Sequence, residues 1–174
     1  MSHAQTTALR TAAFPRDEPL DASGARRAAT AAGSVRTDQV SWCGPEVGTR
    51  HSAGLLGLTA TRTPRWRDLD DIPEPELLAW LTDPSAAPHG GESVGDLISR
   101  TRDWMHDRAR TPGRTVAVTH PAVVRAALVG ALDNPPGHVL ADRRAPADHH
   151  QAAPAIGIVV ATPRLPAAYP RTLC

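Results

Sequence analysis

Lysine is absent from this chain of 174 residues, so its 19 basic side chains are all arginines. GC-rich codon usage explains that bias more simply than selection for guanidinium chemistry. With 18 acidic residues the net charge is only +1, which excludes a global pull toward nucleic acid or an anionic membrane. No basic run with interleaved aromatics is present, and no glycine-rich nucleotide loop. Aromatics make up 3% of the residues, so Val, Leu, Ile and Ala must build the core, with four tryptophans as large fillers. The two cysteines, Cys43 and Cys174, do not form a disulfide framework. No apolar run approaches the ~20 residues of a membrane span, and the polar first eleven residues carry no signal-peptide pattern. These absences predict a reduced, cytoplasmic protein with no nucleic-acid or membrane partner.

What is present is an alternation of short apolar strands with helical stretches, the pattern of one α/β domain with a mostly parallel sheet and helices on both faces. Residues 6–10 read as a first strand. Asp21 then suits the N-cap of a helix reaching about Gly33, because its carboxylate can accept from free first-turn amides. Residues 39–42 and 60–63 read as strands, and residues 46–56 as a helix stopped by Gly57. Residues 64–91 are punctuated by prolines, helical only at 76–81, and read as a lid-like insertion. From Glu92 the apolar residues Val94, Leu97, Ile98, Thr101, Trp104 and Met105 follow helical spacing. Residues 115–119 form a buried strand, with a helix from Pro121 to Leu132. Residues 133–154 read as loop, 155–161 as a last strand and 163–174 as a tail.

Several segments, in this order, resemble the motifs of one family. Leu9-Arg10-Thr11-Ala12 resembles an Arg-His-Gly signature. Pro19-Leu20 through Gly24 to Ala28 resembles a Pro-Leu-Thr-x-x-Gly-x-x-Gln-Ala stretch. Cys43-Gly44-Pro45, Gly48 and Ser52-Ala53 resemble a Ser-Ser-Pro-x-x-Arg-Ala-x-x-Thr-Ala segment. Gly90-Gly91-Glu92-Ser93 and Val116 to His120 match two further motifs. The family is the histidine phosphatases, the phosphoglycerate mutase-like superfamily, and the resemblance implies its three-layer α/β/α fold. It also implies a pocket of two histidines, two arginines and one acid, in which one histidine attacks phosphorus and carries the phosphoryl group.

Carried over by position, Arg10 matches the signature arginine, Glu92 the acid and His120 the second histidine, while Thr11 and Gly48 replace the nucleophile and the second arginine. A threonine hydroxyl cannot form a phosphohistidine, and losing the second arginine removes a charge-assisted clamp on phosphate. Arg50, on the same helix as Gly48, is the one substitute cation with the reach to return. The expectation is a degenerate site in which Arg10, Glu92 and His120 converge at the carboxyl ends of adjacent strands. Two classes of function follow. One is a repurposed, cofactor-independent enzyme using Glu92 and His120 for acid/base chemistry on a small anionic or polar substrate, such as an isomerase, cyclase, dehydratase or hydrolase. The other is a pseudophosphatase acting as a binding or scaffold protein. Residual phosphomonoesterase activity is a third reading, and the retained acid and base favour the first.

Other residues weigh less. His89, beside Gly90-Gly91, is an extra candidate for the pocket, with Arg10, Thr11 and Arg50 as substrate contacts. Cys43 reads as packing, Trp66 as a roof over the pocket or a stacking surface for a flat substrate, and Trp80 and Trp104 as core. His138, Asp142, Asp148, His149 and His150 lack metal-ligand spacing and read as a solvated loop, so no metal is expected. The oligomeric state is open, a homodimer included.

Overall fold

The computed structural model describes residues 1–11, 13, 17–35, 40–69, 72–111, 113–132 and 160–161. The expected loop at 133–154, its His/Asp patch and the tail at 163–174 lie outside the described residues. The elements are α1 (Thr7–Arg10), α2 (Ala22–Thr30), β1 (Val40–Cys43), α3 (Val47–Leu55), β2 (Thr61–Arg62), α4 (Glu74–Thr82), α5 (Val94–Ala109), β3 (Arg114–Val118), α6 (Pro121–Leu132) and β4 (Val160–Ala161). A turn of 3-10 helix, Pro64–Trp66, follows β2.

The sheet order is β2-β1-β3-β4. β1 pairs in parallel with β2 and with β3, in a register that sets Cys43 beside Arg62 and Val118. β4 pairs antiparallel at the start of β3. Alternation along β3 feeds two cores. Ala117 points to the face packed by Trp104, Leu97 and Val123, whereas Val116 and Val118 point to the face packed by Ala53, Leu56 and Leu58. The helices on the first face are α5 and α6, and the second carries α3 with α2 beside it. The result is a mixed α/β fold with helices on both sides of a mostly parallel sheet. No described helix is long and apolar enough to cross a membrane.

Most local signals operate as the sequence implies. Asp21 Oδ1 accepts from Gly24 N at 2.7 Å, and Ser93 with Asp96 forms a full capping box at the start of α5. Gly57 follows α3 with φ of 76°. Trp66 lines a small cavity in the core with Trp104 and Met105 rather than roofing the histidines. It is buried and meets Trp104 edge-on, ring centroids 4.6 Å apart.

The first strand is a correction. Residues 6–10 are not extended, because the Thr6 hydroxyl accepts from Leu9 N at 3.3 Å and caps the short helix α1. The extended segment is Met1 to His3, whose Ser2 bridges in parallel to Thr119. His3 N donates to the Thr119 carbonyl at 2.7 Å, and Thr119 N donates to the Met1 carbonyl at 3.0 Å.

Helix α2 is seated on that N-terminal segment through Gly24. A Cβ at Gly24 would lie 2.8 Å from Gln5 N and closer still to Gln5 O. The Gly24→Ala variant gains helix propensity but must push two backbones apart, and is expected to lose about 1–3 kcal/mol. A thermal melt checks this: the midpoint should fall by roughly 2–4 °C per kcal/mol in a chain of this size. A higher midpoint would mean that α2 is not tightly seated.

Candidate active site

Four side chains meet where parallel strands end. β3 runs into Thr119 and His120, and Pro121 then opens α6 at a position where a missing N–H is harmless. β1 runs through Cys43, Gly44 and Pro45 into Glu46, the N-cap of α3. β2 and the 3-10 turn lead to Arg67 and Asp68. The Met1–His3 segment, alongside Thr119, delivers His3. The carboxyl ends of parallel strands are where open α/β sheets place their ligands.

The His3 and His120 rings meet edge to face, centroids 4.7 Å apart with planes at 71°. His120 Nε2 donates to Glu46 Oε2 at 2.9 Å. Its Nδ1 lies 3.1 Å from Asp68 Oδ2, a charge contact outside hydrogen-bond alignment. His3 Nδ1 donates to its neighbour's carbonyl, Ala4 O, at 2.7 Å, which leaves the lone pair of a neutral ring on Nε2. Both histidines are buried, at 8% and 5% exposure, so their protonation is set by these contacts rather than by bulk water.

The electrostatics follow. Burial works against a charge on His120, but Asp68 and Glu46 outweigh it and push the pKa up to about 9. Burial also opposes ionisation of Glu46 and Asp68, and the adjacent imidazolium more than compensates, so both carboxyl groups titrate below their ordinary values. His3 moves the other way, lowered first by burial and then by the positive charge of His120. At neutral pH the cluster is therefore a neutral imidazole, an imidazolium and two carboxylates.

The backing is specific. Glu46 Oε1 accepts from Asp68 N at 2.9 Å, tying two strand ends together. Thr119 Oγ1 donates to Trp66 O at 2.7 Å. Gly44 leaves the room that Glu46 needs, because a Cβ there would sit 2.6 Å from Glu46 Oε2 and 2.7 Å from Trp66 O.

The residues expected to converge do not. Thr11 is exposed, its hydroxyl donating to Thr7 O within α1 at 3.0 Å. Arg10 is surface-exposed and pairs with Asp21 at 3.4 Å. Glu92 is partly buried, gripped by Arg100 through two hydrogen bonds of 2.7 and 2.6 Å and paired with Arg67 at 3.6 Å. Arg100 in turn donates to Arg65 O at 2.7 Å, so Glu92 braces the turn ahead of Asp68 from behind. Arg50 is exposed. His89 has both ring nitrogens buried without a hydrogen-bond partner and is not among the groups that hold His120. Of the expected site residues, only His120 stands in this cluster.

His3, Glu46 and Asp68 were missed. The available signal was the histidine in Ser2-His3-Ala4, upstream of Pro19-Leu20. Matching on the arginine of Leu9-Arg10 overrode it. Gly48 lies close to His3: a Cβ there would sit 3.7 Å from His3 Nδ1. Arg67 Nη1 donates to the backbone carbonyl of Asp68 at 3.4 Å, but among the described residues no guanidinium bonds the side chain of His3, His120, Glu46 or Asp68.

A mostly parallel α/β sheet presenting two facing histidines at its strand ends defines the class of protein. The model of the histidine phosphatase superfamily (branch 1) matches residues 1–148, and the chain belongs to that superfamily. Among solved structures it resembles a mycobacterial glucosyl-3-phosphoglycerate phosphatase at 23% identity, with a TM-score of 0.63 over 80% of this chain and 81% of that one. It also resembles a mutant phosphoserine phosphatase from Entamoeba histolytica, solved with phosphoserine, at 13% identity and a TM-score of 0.69, over 79% of this chain and 80% of that one. Likeness at such identities extends to the fold alone. Among curated proteins, none matches this sequence.

The raised pKa of His120 gives a signed prediction. Its stabilising contribution is complete below its ordinary value of 6.5 and is lost as pH rises from there through about 9. His3, with a depressed pKa, acts in the opposite sense and loses its contribution on acidification. Denaturant unfolding should therefore show stability falling across the alkaline interval in wild type and a flatter profile there in His120→Asn. Identical slopes for the two proteins would remove the ion pairs from the account.

Proposed function

We propose that this protein is a cofactor-independent small-molecule enzyme whose pocket has given up phosphate for acid/base chemistry on a polar, uncharged substrate. The observation that carries the reading is the charge of the cluster: His120 lies between two ionised carboxylates, and no described guanidinium bonds a side chain of the four, Arg67 reaching only the Asp68 backbone carbonyl. Phosphoryl transfer needs cations on the equatorial oxygens. Here Ser2 precedes His3 where the superfamily signature has arginine, and Gly48 stands where its second arginine falls. A phosphate dianion would meet a cluster with one net negative charge.

His3 is then the working base. Its Nε2 takes a proton from the bound substrate or from water, and the resulting imidazolium returns the proton to the product. General base catalysis of this kind contributes roughly 10²–10⁴-fold. His120, with both ring nitrogens turned toward carboxylates, is a fixed positive charge that keeps His3 neutral. Isomerisation, cyclisation, dehydration and hydrolysis all fit a single base of this kind. The free, buried Cys43 fits the cytoplasmic setting proposed for such an enzyme.

A second reading has one observation in its favour. The Nε2 lone pair of His3, facing a second histidine, is also the nucleophile that a phosphohistidine mechanism needs. Assays of p-nitrophenyl phosphate hydrolysis, with phosphate binding followed by calorimetry, separate the two. Wild type is expected to give background turnover and weak phosphate binding. Ser2→Arg with Gly48→Arg should raise phosphate affinity by roughly tenfold or more per added cation, whereas Thr11→His, on an exposed helix, should change nothing. Wild-type turnover at enzymatic rates, with an acid-labile phosphoryl group trapped on His3, would establish the second reading instead.

A further inference from the structure

Glu46 occupies a helix N-cap without capping the helix. Its backbone, at φ −72° and ψ 154°, has the extended conformation from which an N-cap side chain ordinarily turns back to accept from first-turn amides. No such hydrogen bond forms. The carboxylate turns the other way, Oε2 to His120 Nε2 and Oε1 to Asp68 N, both at 2.9 Å. The first-turn amide it leaves behind, Val47 N, is taken by Asp17 Oδ1 at 2.6 Å. Gly44 supplies the clearance, since any side chain at that position would run into Glu46 Oε2. Two separate adjustments, Asp17 on Val47 N and the missing side chain at Gly44, thus accommodate one carboxylate that does not cap its own helix.

We infer that the Glu46 carboxylate is a built-in anion, set on the N–H of His120 that an oxygen of an anionic substrate would otherwise accept from, and that it makes the pocket reject phosphate. This rests on the reading that the pocket has abandoned phosphate, and it names the residue responsible. Missing arginines alone make a phosphate site weak. A carboxylate already bonded to the imidazolium makes it closed, because an incoming oxyanion must displace a charged ligand held from two sides. A neutral substrate has no such competitor and meets the free Nε2 of His3 beside it. Glu46 is in this sense a specificity-determining residue, acting through His120.

Inorganic phosphate, titrated by calorimetry into the full chain and its variants, tests the inference. Glu46→Gln keeps the shape and removes the charge, and is expected to bind phosphate about tenfold or more tightly than wild type. Asp17→Asn removes a neighbouring carboxylate that does not touch His120, and should leave phosphate affinity within about twofold of wild type. Equal gains in both variants would reduce the effect to general charge and overturn the inference, and so would no gain in Glu46→Gln. Should that variant fail to fold, Glu46→Met fills the same volume without charge and carries the same test. Tight phosphate binding by wild type would instead overturn the reading beneath. Failure of the inference and failure of that reading therefore look different.

Discussion

An imidazolium buried at the carboxyl edge of a parallel sheet is the constraint on which the site depends. A charge placed there without partners would cost several kcal/mol of desolvation, so His120 needs compensating carboxylates close by. The chain provides two, each from the end of a different strand. Glu46 arrives from β1 and Asp68 from beyond β2, and the Glu46–Asp68 backbone hydrogen bond locks the pair into one unit. The histidine in turn keeps both carboxyl groups ionised. His3 completes the arrangement by staying neutral beside that charge. His120 is the hub: it shifts each of the other three groups, and all four titrate as a linked set.

The arginines show the same logic from the outside. A chain with 19 of them turns none of the described guanidinium groups onto the paired histidines. They serve as braces instead. Arg100 chelates Glu92 and holds the carbonyl of Arg65, Arg65 reaches Asp107 at 2.9 Å, and Arg108 lies 5.5 Å from the Trp42 ring and 5.9 Å from that of Trp104. Glu92, expected to be an acid in the pocket, turns out to be the partner that orients one of these braces. Its motif lies in the expected place in the fold, yet its carboxylate is fully engaged away from the histidines. A motif match locates a residue, and its hydrogen bonds decide what it does.

How much of this was legible in the sequence differs by element, for physical reasons. The stripe on α5, the strand β3 and the helix α6 are long enough for periodicity to speak, and Asp21 and Gly57 mark their helix ends through local chemistry. The Met1–His3 strand is too short to carry a period-two pattern, so the arginine of Leu9-Arg10 drew the signature to the wrong register. The local cue against that choice was Thr6, a capping residue ahead of a helical turn. Glu46 and Asp68 were invisible for another reason. Their roles arise only from contacts with His120, 74 residues away from Glu46 in the chain, and no spacing rule reports those.

His3 offers the imidazole lone pair that Thr11 lacks, but a lone pair is only part of phosphatase chemistry. A nucleophilic imidazole is necessary for a phosphohistidine route, but the route also needs charge to be neutralised as phosphorus is attacked. In this pocket the single positive charge is already matched by two negative ones. His120 donates Nε2–H to Glu46, and its Nδ1 sits in charge contact with Asp68, so the imidazolium faces a carboxylate on each side. The group left able to change its protonation state near neutral pH is His3, whose pKa is lowered by burial and by its charged neighbour. A single neutral base beside a fixed, internally compensated charge is poorly matched to phosphate. The proposed chemistry asks less of it, only that it move one proton at a time on a substrate that brings no charge of its own.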